Sequence, residues 1–256
     1  MARYQYQKSD KKSLIAILFI GILLGTLVGY YISSEYATTS EKIITQYVYA
    51  PSNITYSFAE IGLVAVDQNG NGIITPLKVE VKSGDGKILT NIEKILFWVD
   101  TQQSMQTAKQ VAENLTGINT NQYDFIYTLT SNATLVGGPS AGGALTVATI
   151  AALENKKIRS DVMMTGTINP DSTIGEVGGV LEKAKAAKNV GAKIFLVPKG
   201  QGTETYLKPE ENCTQRSGFI FCTTKYNEVT VNIGKDVGIS VIEVENVSEA
   251  IKYLIF

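Results

Sequence analysis

One stretch limits what this chain can fold into more than any other. Gly137-Gly138-Pro139-Ser140-Ala141-Gly142-Gly143 runs without a break into Ala144-Leu145-Thr146-Val147-Ala148-Thr149-Ile150-Ala151-Ala152-Leu153. The glycines and the proline demand a turn, and the apolar run predicts a largely buried helix over Ser140 to Leu153. A turn feeding a helix holds a side chain out of the packed interior and leaves free backbone N–H groups beside it. A nucleophile and an oxyanion site need both. The chain contains no histidine, so a Ser-His-Asp triad is excluded. If Ser140 is a nucleophile, another base activates it, and lysine is the known substitute.

Composition narrows the classes further. The 256 residues suffice for a membrane anchor plus one domain of ordinary size. Hydrophobic residues make up 44% and charged residues 18%, which suits a packed core. A formal net charge of -1 offers no basic field for nucleic acid. Without histidine, and with Cys213 and Cys222 as the only cysteines, no zinc site is expected. No G-x-x-x-x-G-K-[ST] run occurs, so no ATP site of that type is expected and no cofactor is implied.

Leu14 to Ile32 is nineteen residues without a charge, long enough to cross a bilayer as a single transmembrane helix. Arg3, Lys8, Lys11 and Lys12 precede it, and Glu35 and Glu41 follow it. The positive-inside rule then makes residues 1–13 a cytoplasmic tail and places everything beyond residue 33 outside the cytoplasm, on a single-pass cell-membrane protein. A cleaved signal peptide is the alternative, though the run is long for an h-region and no A-x-A site follows it. Five N-x-[ST] sequons, beginning at Asn53, Asn114, Asn132, Asn212 and Asn246, agree mildly with an outside location. In an oxidising compartment Cys213 and Cys222 would close a small hairpin-like loop; two unrelated buried thiols are the alternative.

Residues 33–56 are rich in Ser, Thr and Tyr and read as a stalk, with one candidate strand at Ile43–Tyr49. The globular part covers residues 57–256. Ile61–Val66 and Ile73–Val81 are strand-like, separated by the turn signal Asp67-Gln68-Asn69-Gly70-Asn71-Gly72. Ile95–Val99 is a further strand candidate. Thr101 to Leu115 has helical spacing with Thr101 as N-cap, and Phe125–Leu129 is a strand leading toward the serine turn. Asp161–Met164, a helix from Val180 to Val190 closed by Gly191, and Ile194–Val197 follow. Residues 199–228 read as a polar insertion carrying the cysteine loop. Ile239–Val244 and Val247–Ile255 supply a last strand and a last helix. This mixed order indicates an α+β domain.

GGPSAGG, then DVMMTGTI, then IGEVGGVLEKAKAAKNVGAKIFLVP together resemble the proteolytic domain of Lon proteases. That family has a Pro-Ser-Ala-Gly motif, a Met-Thr-Gly strand end, a Gly-Gly-x-x-Glu-Lys helix start and a strand ending in Pro, in this order. The resemblance is clear over Leu135–Pro198. It implies a fold of the ribosomal protein S5 domain 2-like type. It implies Ser140 as nucleophile, Lys183 as its catalytic partner at the family's own separation, and Thr165 as the hydroxyl that supports the lysine. Lon-like domains commonly form rings, so the resemblance also implies a homo-oligomer. Two departures stand out: the family's Lys-Asp-Gly before Pro-Ser is Val136-Gly137-Gly138 here, and its Thr-Gly-Glu is Thr165-Gly166-Thr167. The family's usual ATPase module is not found in the sequence.

The chemistry has a physical basis. A free lysine is protonated at neutral pH, but burial lowers its pKa. Val180, Leu181, Ala184, Ala186 and Ala187 surround Lys183 in sequence with apolar groups. A neutral Lys183 can take the proton from Ser140 as it attacks a peptide carbonyl. The backbone N–H groups of Gly138, Ser140 and Ala141 are the oxyanion candidates. The expected function is therefore a membrane-anchored, ATP-independent Ser-Lys endopeptidase acting on unfolded or flexible polypeptides. The alternative is a non-catalytic Lon-like domain that binds peptides or scaffolds a membrane complex, with Gly137 in place of the family's Asp as its support.

Overall fold

The computed structural model describes residues 20–28, 54–91, 96–97, 99–130, 135–136 and 138–256. The chain divides into two units, Met1–Gln46 and Tyr47–Phe256. In the first, residues 20–28 form a helix, α1, with exposed side chains. The tail 1–13, the rest of Leu14–Ile32 and the strand expected at Ile43–Tyr49 lie outside the described residues. Among the described residues no helix is long and apolar enough to cross a membrane.

The second unit opens with a long hairpin. β1 (Tyr56–Val66) and β2 (Gly72–Ser83) pair antiparallel from Tyr56–Lys82 to Val66–Gly72, and both extend beyond their sequence-expected bounds. The turn between them is held by Asp67, whose carboxylate accepts the N–H groups of Asn69 and Asn71. Gly70 supplies the positive φ of 80° that this tight turn requires. β3 (Ile88–Thr90) and β5 (Tyr123–Leu129) complete a sheet of order β1-β2-β5-β3. Residues alternate strictly along β5, and Tyr123, Phe125, Tyr127 and Leu129 face the core.

β4 (Leu96–Phe97) is shorter than expected because the chain is already helical at Val99. α2 (Val99–Thr116) buries Met105, Ala108, Val111 and Ala112 against α3 (Gly142–Leu153). Thr101 lies inside the first turn of α2 and is no N-cap. The Asp100 carboxylate accepts its N–H instead, at 2.7 Å. β6 (Leu135–Val136) pairs parallel with β4. Every residue of α3 is buried, so the apolar run found the environment its composition requires.

A second layer follows. β7 (Val162–Met164), β10 (Ile194–Pro198) and β13 (Ser240–Val244) form a parallel sheet of order β13-β10-β7. β8 (Thr167–Ile168) and β9 (Ile174–Gly175) make a small ladder beside it. α4 (Val180–Asn189) packs with α5 (Ile233–Val237) around Val180, Leu181, Ala184, Ala187, Phe195, Val197 and Ile233. α6 (Val247–Leu254), N-capped by Asn246, returns Val247, Ala250 and Leu254 to the first core. The domain thus has mixed α/β content, with an antiparallel-dominated sheet and a parallel one.

The segment expected as a polar insertion is an ordered ribbon. β11 (Thr203–Arg216) and β12 (Phe219–Asn232) pair over fourteen residues each, turning at Ser217 and Gly218, both with positive φ. Cys213 and Cys222 are directly opposite and joined as a disulfide. Neither face of the outer ribbon is covered, so its sequence never acquired the two-residue hydrophobic period that marks a strand.

Gly72 sits where β2 meets the back of α4. A Cβ there would lie 2.1 Å from the Glu182 carbonyl oxygen and 2.9 Å from the Ala186 Cβ. Backbone cannot yield as a side-chain tip can. Gly72→Ala is expected to destabilise the domain by about 1–3 kcal/mol, read from a denaturant midpoint.

Candidate functional site

Ser140 lies in a 3-10 turn, Pro139–Ala141, immediately before α3. The turn is entered through Gly138 at φ 104°, a conformation that favours glycine. It is stitched to the end of β7. The Ser140 carbonyl accepts the Thr165 hydroxyl at 3.2 Å and the Gly166 N–H at 2.9 Å. Gly143 N–H donates to the Gly166 carbonyl at 3.0 Å. The two glycines after the serine turn permit this approach: a Cβ on Gly142 would meet Ile168 at 2.6 Å and one on Gly143 would meet Met164 at 2.7 Å.

Lys183 comes from the other core. It occupies the first turn of α4, which begins at Gly179 in the left-handed conformation. The residue is 4% exposed, on the helix that carries Val180, Leu181, Ala184 and Ala187 into the second core. Burial pushes its pKa from 10.5 down to about 8, opposed in part by the charge of Glu204. At pH 7 roughly one such amine in ten is neutral, against fewer than one in a thousand for a free lysine. Ser140 and Lys183 line one cavity of about 330 Å³ together with Ala65, Val66, Gly178 and Gly179. A larger cleft, about 870 Å³, lies along the other half of β1 and contains neither residue. Chemistry, not size, selects the smaller one.

Thr165, Gly138 and several carboxylates surround the two residues. The Thr165 hydroxyl donates to the Ser140 carbonyl and so steadies the serine turn. The Gly138 N–H donates to the Asp100 carboxylate at 3.1 Å and is engaged there, leaving Ser140 and Ala141 as the remaining backbone oxyanion candidates. Asp100, in the first turn of α2, was not singled out by any motif. It ties that helix to the serine turn across 38 residues of sequence. Glu182, beside the lysine, is a first-turn charge on α4 that faces Lys185 at 3.9 Å. Glu204, within the ribbon, was likewise invisible to motif reading.

Residues 75–232, more than half of the chain, match the C-terminal proteolytic domain of Lon protease (S16). The chain belongs to the Lon protease family. Similar relatives include the archaeal Lon protease of Thermococcus kodakarensis, 29% identical over 159 residues, 59% of this chain and 25% of that protein. The Lon protease of Phenylobacterium zucineum is 34% identical over 132 residues, 50% of this chain and 16% of that one. The peroxisomal Lon protease homolog 2 of Caenorhabditis elegans is 31% identical over 147 residues, 55% and 18% of the two chains. The match spans between a tenth and a quarter of the length of such relatives. In this Lon-type domain the serine turn and the lysine helix both fall within the matched region.

Two measurements check the site's physics. The lysine's folded-state pKa lies below its unfolded value of about 10.4, so the native state binds fewer protons between about pH 8 and 10. Its burial therefore costs stability at neutral pH, and the cost fades as pH rises through that window. Lys183→Met is expected to raise unfolding free energy at pH 7 by about 1–3 kcal/mol, with the gain shrinking toward pH 10. Asp100→Ala is expected to speed hydrogen exchange at the Gly138 amide at least about tenfold, while amides in α3 keep their protection.

Proposed function

We propose that this protein is a serine peptidase in which Ser140 is the nucleophile and Lys183 the general base. The observation that carries this reading is a lysine amine depressed to about pKa 8 and lining the same cavity as a serine held on a glycine-rich turn. A neutral Lys183 Nζ takes the Ser140 proton as Oγ bonds to the substrate carbonyl carbon. The resulting ammonium returns the proton to the leaving amine when the peptide C–N bond breaks. Water then hydrolyses the acyl-enzyme with the same amine as base. Backbone N–H groups at Ser140 and Ala141 face the developing oxyanion. On this reading its substrates are unfolded or flexible polypeptides. The charge-free run Leu14–Ile32 tethers the domain to a membrane with its catalytic unit outside the cytoplasm.

Cleavage of a disordered polypeptide by the wild type, Ser140→Ala and Lys183→Ala tests the dyad. Either substitution is expected to lower kcat/KM by at least about 1000-fold with the fold intact. The wild-type profile should rise with pH through about 8, as the amine loses its proton. Equal cleavage by wild type and Ser140→Ala would eliminate the peptidase reading. Absence of cleavage in both, with retained peptide binding, would favour the scaffold alternative.

A further inference from the structure

Glu204 lies at the base of the ribbon, the second residue of β11, paired across to Val231. Its Oε2 accepts the Leu181 N–H at 2.9 Å. α4 receives no side-chain cap from its own N-cap residue, Gly179. The ribbon therefore satisfies one of the orphan N–H groups at the start of the lysine helix. Fixing Leu181 fixes the turn from which Lys183 projects.

The same carboxylate acts electrostatically on the lysine, favouring its charged form. Among the described residues no other charged group does so. β1, β2, β10 and α5 pack against α4 without placing an effective charge on the amine. The cavity lining from β1 and from Gly178-Gly179 is uncharged. On α4 itself Glu182 faces Lys185, and Lys188 donates to the Val237 carbonyl.

We propose that Glu204 is a positioning residue for the Ser140–Lys183 pair: it anchors the first turn of α4 and supplies a negative charge that supports the ammonium formed when Lys183 takes the serine proton. This inference rests on the dyad reading above. Its consequence is two opposed effects. Without the charge, the amine becomes neutral at lower pH, yet it is a weaker base and its ammonium has no counter-charge.

Glu204→Gln keeps an acceptor for Leu181 and removes the charge. In full-length, lysine-labelled protein, the ¹³C shift of the Lys183 ε-carbon is followed through pH, assigned with Lys183→Arg. The Gln variant is expected to titrate lower than wild type by roughly half a unit or more, and Glu204→Asp to stay near wild type. In cleavage of a disordered polypeptide, the acid limb of kcat/KM should move to lower pH while the alkaline plateau falls about three- to tenfold. A role in folding alone would lower the whole profile without moving its limb. Superimposable lysine titrations in wild type and Glu204→Gln overturn the proposal, whether or not the protein cleaves. A lysine that titrates as proposed in a protein that cleaves nothing sinks the dyad reading and leaves the placement of Glu204 standing.

Discussion

The desolvated amine of Lys183 is the constraint on which the rest turns. A buried ammonium is unfavourable, and nothing in a stability argument would retain it there. The protein holds it by packing the buried face of α4 against β1, β2, β10 and α5. The glycine at position 72 lets the hairpin of β1 and β2 sit directly on the helix backbone. The depressed pKa is thus a property of two layers of packing and not of one residue's neighbours.

Ser140 and Lys183 adjoin different hydrophobic clusters. Ser140 leads into α3, whose side chains belong to the first cluster, while Leu181 and Ala184 beside Lys183 belong to the second. β1 passes from one to the other: Ala59, Ile61 and Leu63 pack in the first, Val64 in the second, and Ala65 and Val66 reach the cavity. The alignment of serine with lysine therefore depends on how the two clusters are joined. The hydrogen bonds from Thr165 and Gly166 to the Ser140 carbonyl make that joint at the end of β7. Small residues are needed at the joint because backbone meets backbone there.

Much of this was legible in the sequence because it is written locally. The serine turn, the apolar run of α3, the alternation in β5 and the glycine boundaries of α4 each sit within a dozen residues. The two carboxylates that finish the site were not legible. Asp100 reaches Gly138 from 38 residues away, and Glu204 reaches Leu181 from 23. Neither contact leaves a periodic or spaced signal, since each joins separate elements by one hydrogen bond. The ribbon failed for a different reason. A strand pair with no covered face has no hydrophobic alternation to display, and Phe219, Ile220 and Phe221 stay 70%, 70% and 58% exposed near its turn. Thr165 carries a contact the motif does not spell out: its hydroxyl donates to the Ser140 carbonyl.

The ribbon leaves the domain at Thr203 and re-enters at Asn232, two residues that are themselves partners in the ladder. Entry and exit are therefore side by side, and the parallel sheet on either side closes as though nothing had been spliced in. Such an arm can lengthen, shorten or change its tip over evolutionary time with little penalty in chain closure. The second rung is less free to drift, because there Glu204 accepts the Leu181 N–H of the helix that carries Lys183. An accessory that began as ornament would, by that one rung, have become part of the machine.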